Sequence, residues 1–296
     1  MTKIMTRRTA EWLLFCVTIV ASAGWLFTKN ALTEFTPYTF LAIRFLLASI
    51  VLLIFCWSSL RTLDSGQVAK AIGTGAILAV SLLVWVLGIH QTASIGEGSF
   101  IVSLTVVFVP LVGRVLFGDK LEPRLLLALI PAIAGLALLA LKNGLTVETP
   151  QLLFLTSTVG FAIHVSLTGR YVQKMPALPM ASIQLAVVGV MAALVAMMLE
   201  GWEVNVSNSA WGWLICSAII ATSLRFALQT RALQFVDATH AGMIFILEPV
   251  WTAGLGALFL MERMTAMQML GCVLIFMALI TYRASWLFEI VAKLRK

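Results

Sequence analysis

Ten apolar runs, each about as long as a bilayer core is thick, divide this chain: 9–29, 37–57, 69–89, 96–117, 124–142, 151–172, 179–199, 210–233, 239–260 and 265–285. A helix needs about 20 mostly apolar residues to cross the hydrocarbon. Strands of a membrane barrel need about 10, with an alternation these runs lack. In lipid the backbone must satisfy its own hydrogen bonds, so each run is expected to be a helix. The sequence therefore predicts an all-α membrane protein with ten transmembrane helices. Only 11% of its 296 residues are charged, against roughly 25% in soluble domains. The short loops leave no room for a soluble catalytic module.

The net charge of +7 reflects where the bases sit and does not point to nucleic acid. With the N-terminus inside, Lys3, Arg7, Arg8, Arg61, Lys70, Arg114, Lys120, Arg124, Arg170, Lys174, Arg231, Arg283, Lys293, Arg295 and Lys296 face the cytoplasm. Only Lys29, Lys142 and Arg263 fall outside. This bias predicts both termini in the cytoplasm and a cytoplasmic (inner) membrane location. The first run, with its leading bases and Ala21-Ser22-Ala23, imitates a secretory signal. Apolar chain continues past it, so it is expected to stay as a helix. Cys16, Cys56, Cys216 and Cys272 lie inside runs, without metal or disulfide spacing, and are expected to be buried, inert thiols.

Sliding the chain by 143 positions lays RVLFGDKLEPRLLLALIPAIAGLALL (114–139) over ALFLMERMTAMQMLGCVLIFMALITY (257–282). Asp119-Lys120 then meets Glu262-Arg263, while Gln91 meets Gln234, Ile101 meets Ile244, Leu104 meets Leu247 and Gly113 meets Gly256. The two halves, 9–142 and 151–285, would each hold five helices. An odd number turns the second half over, giving two inverted five-helix repeats, a recurrent transporter design. The tail 286–296 is basic and amphipathic and is expected on the inner leaflet.

RALQFVDATHAGMIFILEPVWTAGLGALFLMERMTAMQMLGCVLIFMALI, together with GWLFTK (24–29) and LAIRFLLA (41–48), resembles the EamA-type transporters of the drug/metabolite transporter superfamily. The resemblance covers nearly the whole chain. It implies ten helices in inverted repeats and export of small metabolites, often amino acids. The first half departs from the pattern: Thr105-Val106 stands where the second half has Glu248-Pro249, and Pro110 comes four residues later.

Ionisable residues inside spans are costly and therefore functional candidates. Here they are Arg44, His164, Arg225 and Glu248, with Glu97 and His240 nearer helix ends. At about 1.5 Å per residue, Glu248, Arg225 and His164 all lie roughly 12–13 Å deep. An Arg225–Glu248 pair would lower the cost of both charges. This pair reads equally as a polar cavity group and as a structural link between helices. Trp25, Trp85, Phe161 and Trp251 are the aromatics best placed for a cavity wall, and Trp12, Trp57, Trp202, Trp211 and Trp286 for the membrane interface. Pro249 removes the bond to the Phe245 carbonyl and Pro110 the bond to that of Val106, so both are candidate hinges, softened further by Gly254 and Gly256. No histidine pair has ligand spacing, and neither metal nor cofactor is expected.

These residues predict a secondary transporter that exports a small polar or amphipathic metabolite, an amino acid or similar, by alternating access. Its partners would be the solute and the bilayer; proton coupling through Glu248 and facilitated diffusion are equally open. The competing reading is an intramembrane enzyme using His90, Glu97, His164 and Glu248 as acid and base groups. No nucleophile motif accompanies them, and the repeat goes unexplained, so no catalytic residue is assigned.

Overall fold

The structure is a computed structural model that describes residues 6–121, 148–201, 205–236 and 247–267, with individual positions within 127–138, 241–245 and 269–281. Among the described residues every regular element is helical. The helices are α1 (Arg7–Ala31), α2 (Pro37–Leu60), α3 (Ser65–Gln91), α4 (Ile95–Ser103), α5 (Thr105–Phe117), α6 (Thr149–Tyr171), α7 (Ala177–Leu199), α8 (Asn208–Ala218), α9 (Arg225–Ala232) and α10 (Glu248–Phe259). A π-helical segment, Ile219–Leu224, joins α8 to α9.

Seven stretches are long and apolar enough to cross a membrane: Arg7–Ala31, Pro37–Leu60, Ser65–Gln91, Ile95–Phe117, Thr149–Lys174, Ala177–Leu199 and Asn208–Ala232. The other three expected spans fall partly outside the described residues. Of 239–260 only the α10 part is a continuous described helix, and 265–285 contributes the shorter apolar stretch Met269–Ala278. The tail 286–296, His240, Trp202 and Trp286 also lie outside the described residues. The outward faces are apolar: Phe55, Val115, Met198 and Leu258 are all more than 70% exposed. Such surface is stable against lipid chains and not against water. Trp12, Trp57 and Trp211 are exposed as well. Cys56 and Cys272 are buried, but Cys16 is exposed, because its position on α1 turns it away from the bundle.

Lipid gives no hydrophobic drive to helix association, so close packing and polar contacts must supply it. The α2–α7 pair shows both. Ser49 and Ser182 each donate to the other's carbonyl, at 3.1 and 3.3 Å. A Cβ on Gly189 would stand 2.7 Å from the Leu46 side chain, so only glycine allows this approach. Phe154 of α6 wedges against α3 and α4 in the same way, over Gly88 and Gly98.

The packing has a two-fold pattern. α1 packs on α8, α9 and α10, while α6 packs on α3, α4 and α5. α2 packs on α7, and α4 packs on α10. Exchanging the two halves maps these contacts onto one another. The 143-residue register reappears in backbone detail. Gly118 and Met261 stand at equivalent places after α5 and α10, and both are left-handed, with φ of 74° and 53°. The next N–H reaches back six residues in each case: Asp119 N to the Gly113 carbonyl at 3.3 Å, Glu262 N to the Gly256 carbonyl at 3.1 Å. Both helices thus end through a left-handed residue that turns the following N–H back onto the helix. The acid then folds over the glycine. A Cβ on Gly113 would lie 2.8 Å from Asp119 Oδ2, and one on Gly256 2.7 Å from Glu262 Oε2.

Carboxylates tie the halves together by capping helix N-termini, where unpaired N–H groups and the helix dipole favour negative charge. Glu200 accepts from the Tyr38 and Thr39 N–H groups, both at 2.8 Å, and from the Thr36 and Thr39 hydroxyls at 2.6 and 3.0 Å. Glu262 accepts from Ile95 N at 2.8 Å, Gly96 N at 3.3 Å and the Ser94 hydroxyl at 2.9 Å. Glu34 accepts from both N and Oγ of Ser207, the N-cap of α8, at 2.7 Å. These bonds hold the Glu34 carboxyl below its usual range.

Candidate functional site

Both helices that carry the repeat signature break at the same place. Leu104 separates α4 from α5, and its N–H turns to the Ile101 carbonyl three residues back, at 3.1 Å. Leu247 precedes α10, and its N–H turns to the Ile244 carbonyl, again three back, at 3.2 Å. Ile101 and Ile244 correspond under the same shift, as do Leu104 and Leu247. In the second half, Pro249 sits in the first turn of α10, where its missing N–H costs nothing. In the first half, hydroxyls occupy carbonyls around the break: Ser103 bonds Phe100 O, and Thr105 bonds Val102 O, both at 2.6 Å.

The break therefore does not fall where Pro110 was expected to put it. Pro110 lies inside α5, six residues past the break, and the helix continues through it to Phe117. The first-half break is flanked instead by the two hydroxyl-to-carbonyl bonds of Ser103 and Thr105. Nor do Gly254 and Gly256 interrupt α10, which runs unbroken through both. Gly256 makes room for the Glu262 carboxylate, and a Cβ on Gly254 would meet nothing.

A central cavity lies at these breaks. Both halves line it. Equivalent positions of the two halves line it: Val102 and Phe245, Thr105 and Glu248, Val106 and Pro249, Leu82 and Arg225. Of the residues singled out by their cost or shape, Arg44, His164, Arg225, Glu248, Trp25, Trp85, Phe161 and Pro249 all line this space.

Trp251 does not. It is 38% exposed and meets Phe15 of α1 edge to face, with ring centroids 6.4 Å apart. Three residues on from Glu248 leaves it about 60° around the helix axis. That offset carries it from the cavity to the outer flank.

Glu248 Oε1 accepts from the Trp25 indole N–H at 2.9 Å. Its Oε2 lies 3.7 Å from Arg225 Nη2, near enough for ion pairing and too far for a hydrogen bond. The Trp25 ring meets Trp85 edge to face at 5.0 Å, forming one apolar wall.

Arg225 follows directly on the π segment. Thr222 and Ser223 hold this segment open by donating to the Ser217 and Ala218 carbonyls five residues back, both at 2.9 Å. Such bulges re-aim the side chains beyond them. The Thr222 hydroxyl also accepts from Arg44 Nε at 2.7 Å, while Arg44 Nη1 donates to Thr28 at 2.8 Å. Arg44 is 4% exposed. The two guanidiniums flank an edge-to-face phenylalanine pair: Arg44 lies over the Phe45 ring at 5.3 Å, and Arg225 over that of Phe226 at 5.5 Å.

Three polar atoms on the lining have no protein partner among the described residues: Arg225 Nε, His164 Nε2 and Gln229 Oε1. Gln229 escaped the sequence reading, although its place four residues after Arg225 puts it on the same helix face. Ser99, Ser103, Phe45 and Phe226 also line the cavity; nothing in their spacing separates them from packing residues. Glu97 lies away from the cavity, buried, and accepts from Gln151 Nε2 at 2.6 Å. His90 is exposed. No cluster of three or more metal-ligating side chains occurs among the described residues.

The family model for EamA-like transporters matches this chain twice, over residues 8–141 and 149–283. A crystal structure of another protein superposes with a TM-score of 0.72 over 93% of this chain and 96% of that one, at 15% identity. That likeness concerns the fold alone. No curated protein matches the sequence.

Proposed function

The chain belongs to the EamA-like transporter family, and from that premise we propose that it is a secondary transporter exporting a small polar or amphipathic metabolite, an amino acid or a similar compound. The carrying observation is the polar cavity itself. It lies between the repeats, at matched breaks in two helices, and holds Arg44, Arg225, Glu248 and His164 among aromatic walls. Buried charges in a membrane bundle are expensive and mark solute or ion pathways.

In this reading the halves, 9–142 and 151–285, are inverted five-helix repeats in a ten-helix protein of the cytoplasmic membrane, with both termini inside. Rocking one repeat against the other, about the breaks at Leu104 and Leu247 with Pro249 as a hinge, opens the cavity to each side in turn. Glu248 is the candidate group for proton coupling.

Counterflow in liposomes containing the purified chain tests this. A labelled amino acid or related metabolite should accumulate when unlabelled solute is preloaded, and Arg225→Gln should reduce the rate. Release of a chemically altered product would refute transport. A flux indifferent to an imposed proton gradient would leave transport standing and remove the coupling.

A further inference from the structure

We propose that the transported solute carries a single net negative charge, its carboxylate held by Arg44 and Arg225 and its apolar body by Trp25, Trp85 and Phe161. The inference rests on the transporter reading and narrows its amphipathic metabolite to a monocarboxylate anion, setting aside the zwitterionic amino acids which that reading allows.

Charge balance is the first ground. Two guanidiniums and one carboxylate line the cavity. With His164 neutral, one positive charge is uncompensated. Arginine stays protonated in proteins, so the excess cannot be lost by titration. Arg44 is the residue left over. Among the described residues its Nε and Nη1 meet the neutral hydroxyls of Thr222 and Thr28, its Nη2 makes no hydrogen bond, and no acid pairs with it. Arg225, a like charge, lines the same cavity. A buried cation without a counter-ion is strongly unfavourable, and an anionic solute relieves it.

The unused hydrogen-bond capacity is the second ground. Arg225 Nε is buried without a partner, and its Nη2 stands too far from Glu248 for a hydrogen bond. A carboxylate fits guanidinium donors in pairs. Gln229 Oε1 and His164 Nε2, also without partners on residues more than nine-tenths buried, offer acceptors to an N–H or O–H on the same solute. Size of charge decides between anions. A carboxylate closes the balance, while a phosphate monoester, at about −1.5 to −2, overshoots it. A zwitterion leaves the excess as it was.

Four probes of one shape separate these cases: 3-phenylpropionate, its neutral amide, 3-phenylpropylamine and zwitterionic phenylalanine. Binding is measured on the full chain in nanodiscs. 3-Phenylpropionate should bind about tenfold or more tighter than the others, the scale of a charged hydrogen bond. Arg225→Gln should weaken it by a similar factor, and Glu248→Gln should tighten it. Opposite signs in two neighbouring variants cannot come from misfolding. Equal or tighter binding of the amide, the amine or phenylalanine overturns the proposal. So does weaker binding in Glu248→Gln, or no binding of 3-phenylpropionate at millimolar concentration. Liposome flux keeps the two readings apart. Transport of phenylalanine or the amine but not the carboxylate overturns the charge assignment alone. Binding without flux overturns transport alone.

Discussion

The breaks at Leu104 and Leu247 share a backbone and differ in chemistry. Each turns an N–H three residues back, to Ile101 or Ile244, and each borders the cavity. The first is lined by hydroxyls that spend themselves on nearby carbonyls. The second presents a carboxylate to an indole and a guanidinium. Rocking needs matched geometry in both halves, whereas binding needs charge in one. The repeat preserves the geometry and leaves the chemistry free to diverge.

The largest expected break in this comparison comes from Glu248→Leu beside Thr105→Val. Losing Glu248 strands Arg225 and the Trp25 N–H. Removing one partner of a buried pair costs about 3–5 kcal/mol. This pair keeps side-chain exposures of 27% and 16%, so about 2–3 kcal/mol is expected. Thr105→Val loses one local hydroxyl bond and should cost about 1 kcal/mol or less. Thermal unfolding in detergent compares the two, and equal losses would mean the charge is structurally idle.

The glycine–acid clasps come next. Gly256→Ala pushes Glu262 off the α4 N-terminus, and loss of such a cap costs about 0.5–2 kcal/mol. Gly113→Ala disturbs Asp119, whose partner Arg170 is nearly half exposed, and such a pair is worth about 0–1 kcal/mol. Alanine regains about 1 kcal/mol of helix propensity at either site. Gly113→Ala should therefore be neutral to stabilising, and Gly256→Ala neutral to destabilising. The turns that follow differ as well. Met261→Gly should stabilise by up to about 1 kcal/mol by relieving a left-handed non-glycine residue, whereas Gly118→Met should destabilise.

The smallest effect is that of Glu34. Its folded pKa is depressed by Ser207, so its contribution is present above the unfolded value of about 4.3 and is lost as pH falls through the folded value. Glu34→Gln should flatten stability against pH below that point and change little at neutrality.

Much of this architecture is legible in sequence because lipid imposes length and charge rules on every span. Arg44, His164, Arg225 and Glu248 stand out because each violates those rules. Ile101, Leu104 and Gly113 and their counterparts carry the register. The π segment was not legible, since Thr222 and Ser223 look like any polar pair until their five-residue bonds are seen. Pro110 is the visible helix breaker of the first half, yet α5 continues through it and the break falls at Leu104, between Ser103 and Thr105, whose residue types do not announce it. Trp251 shares a helix face with Glu248 in sequence spacing, but its offset of about 60° is decisive at a cavity edge.

The central claim is that one cavity is reached from both sides of the membrane. A cysteine at Thr105, in a chain whose Cys16, Cys56, Cys216 and Cys272 are replaced by serine or alanine, tests it with membrane-impermeant thiol reagents on oriented liposomes. Alternating access predicts labelling from either side, at rates that solute changes in opposite directions. Labelling from one side alone, with or without solute, would contradict it.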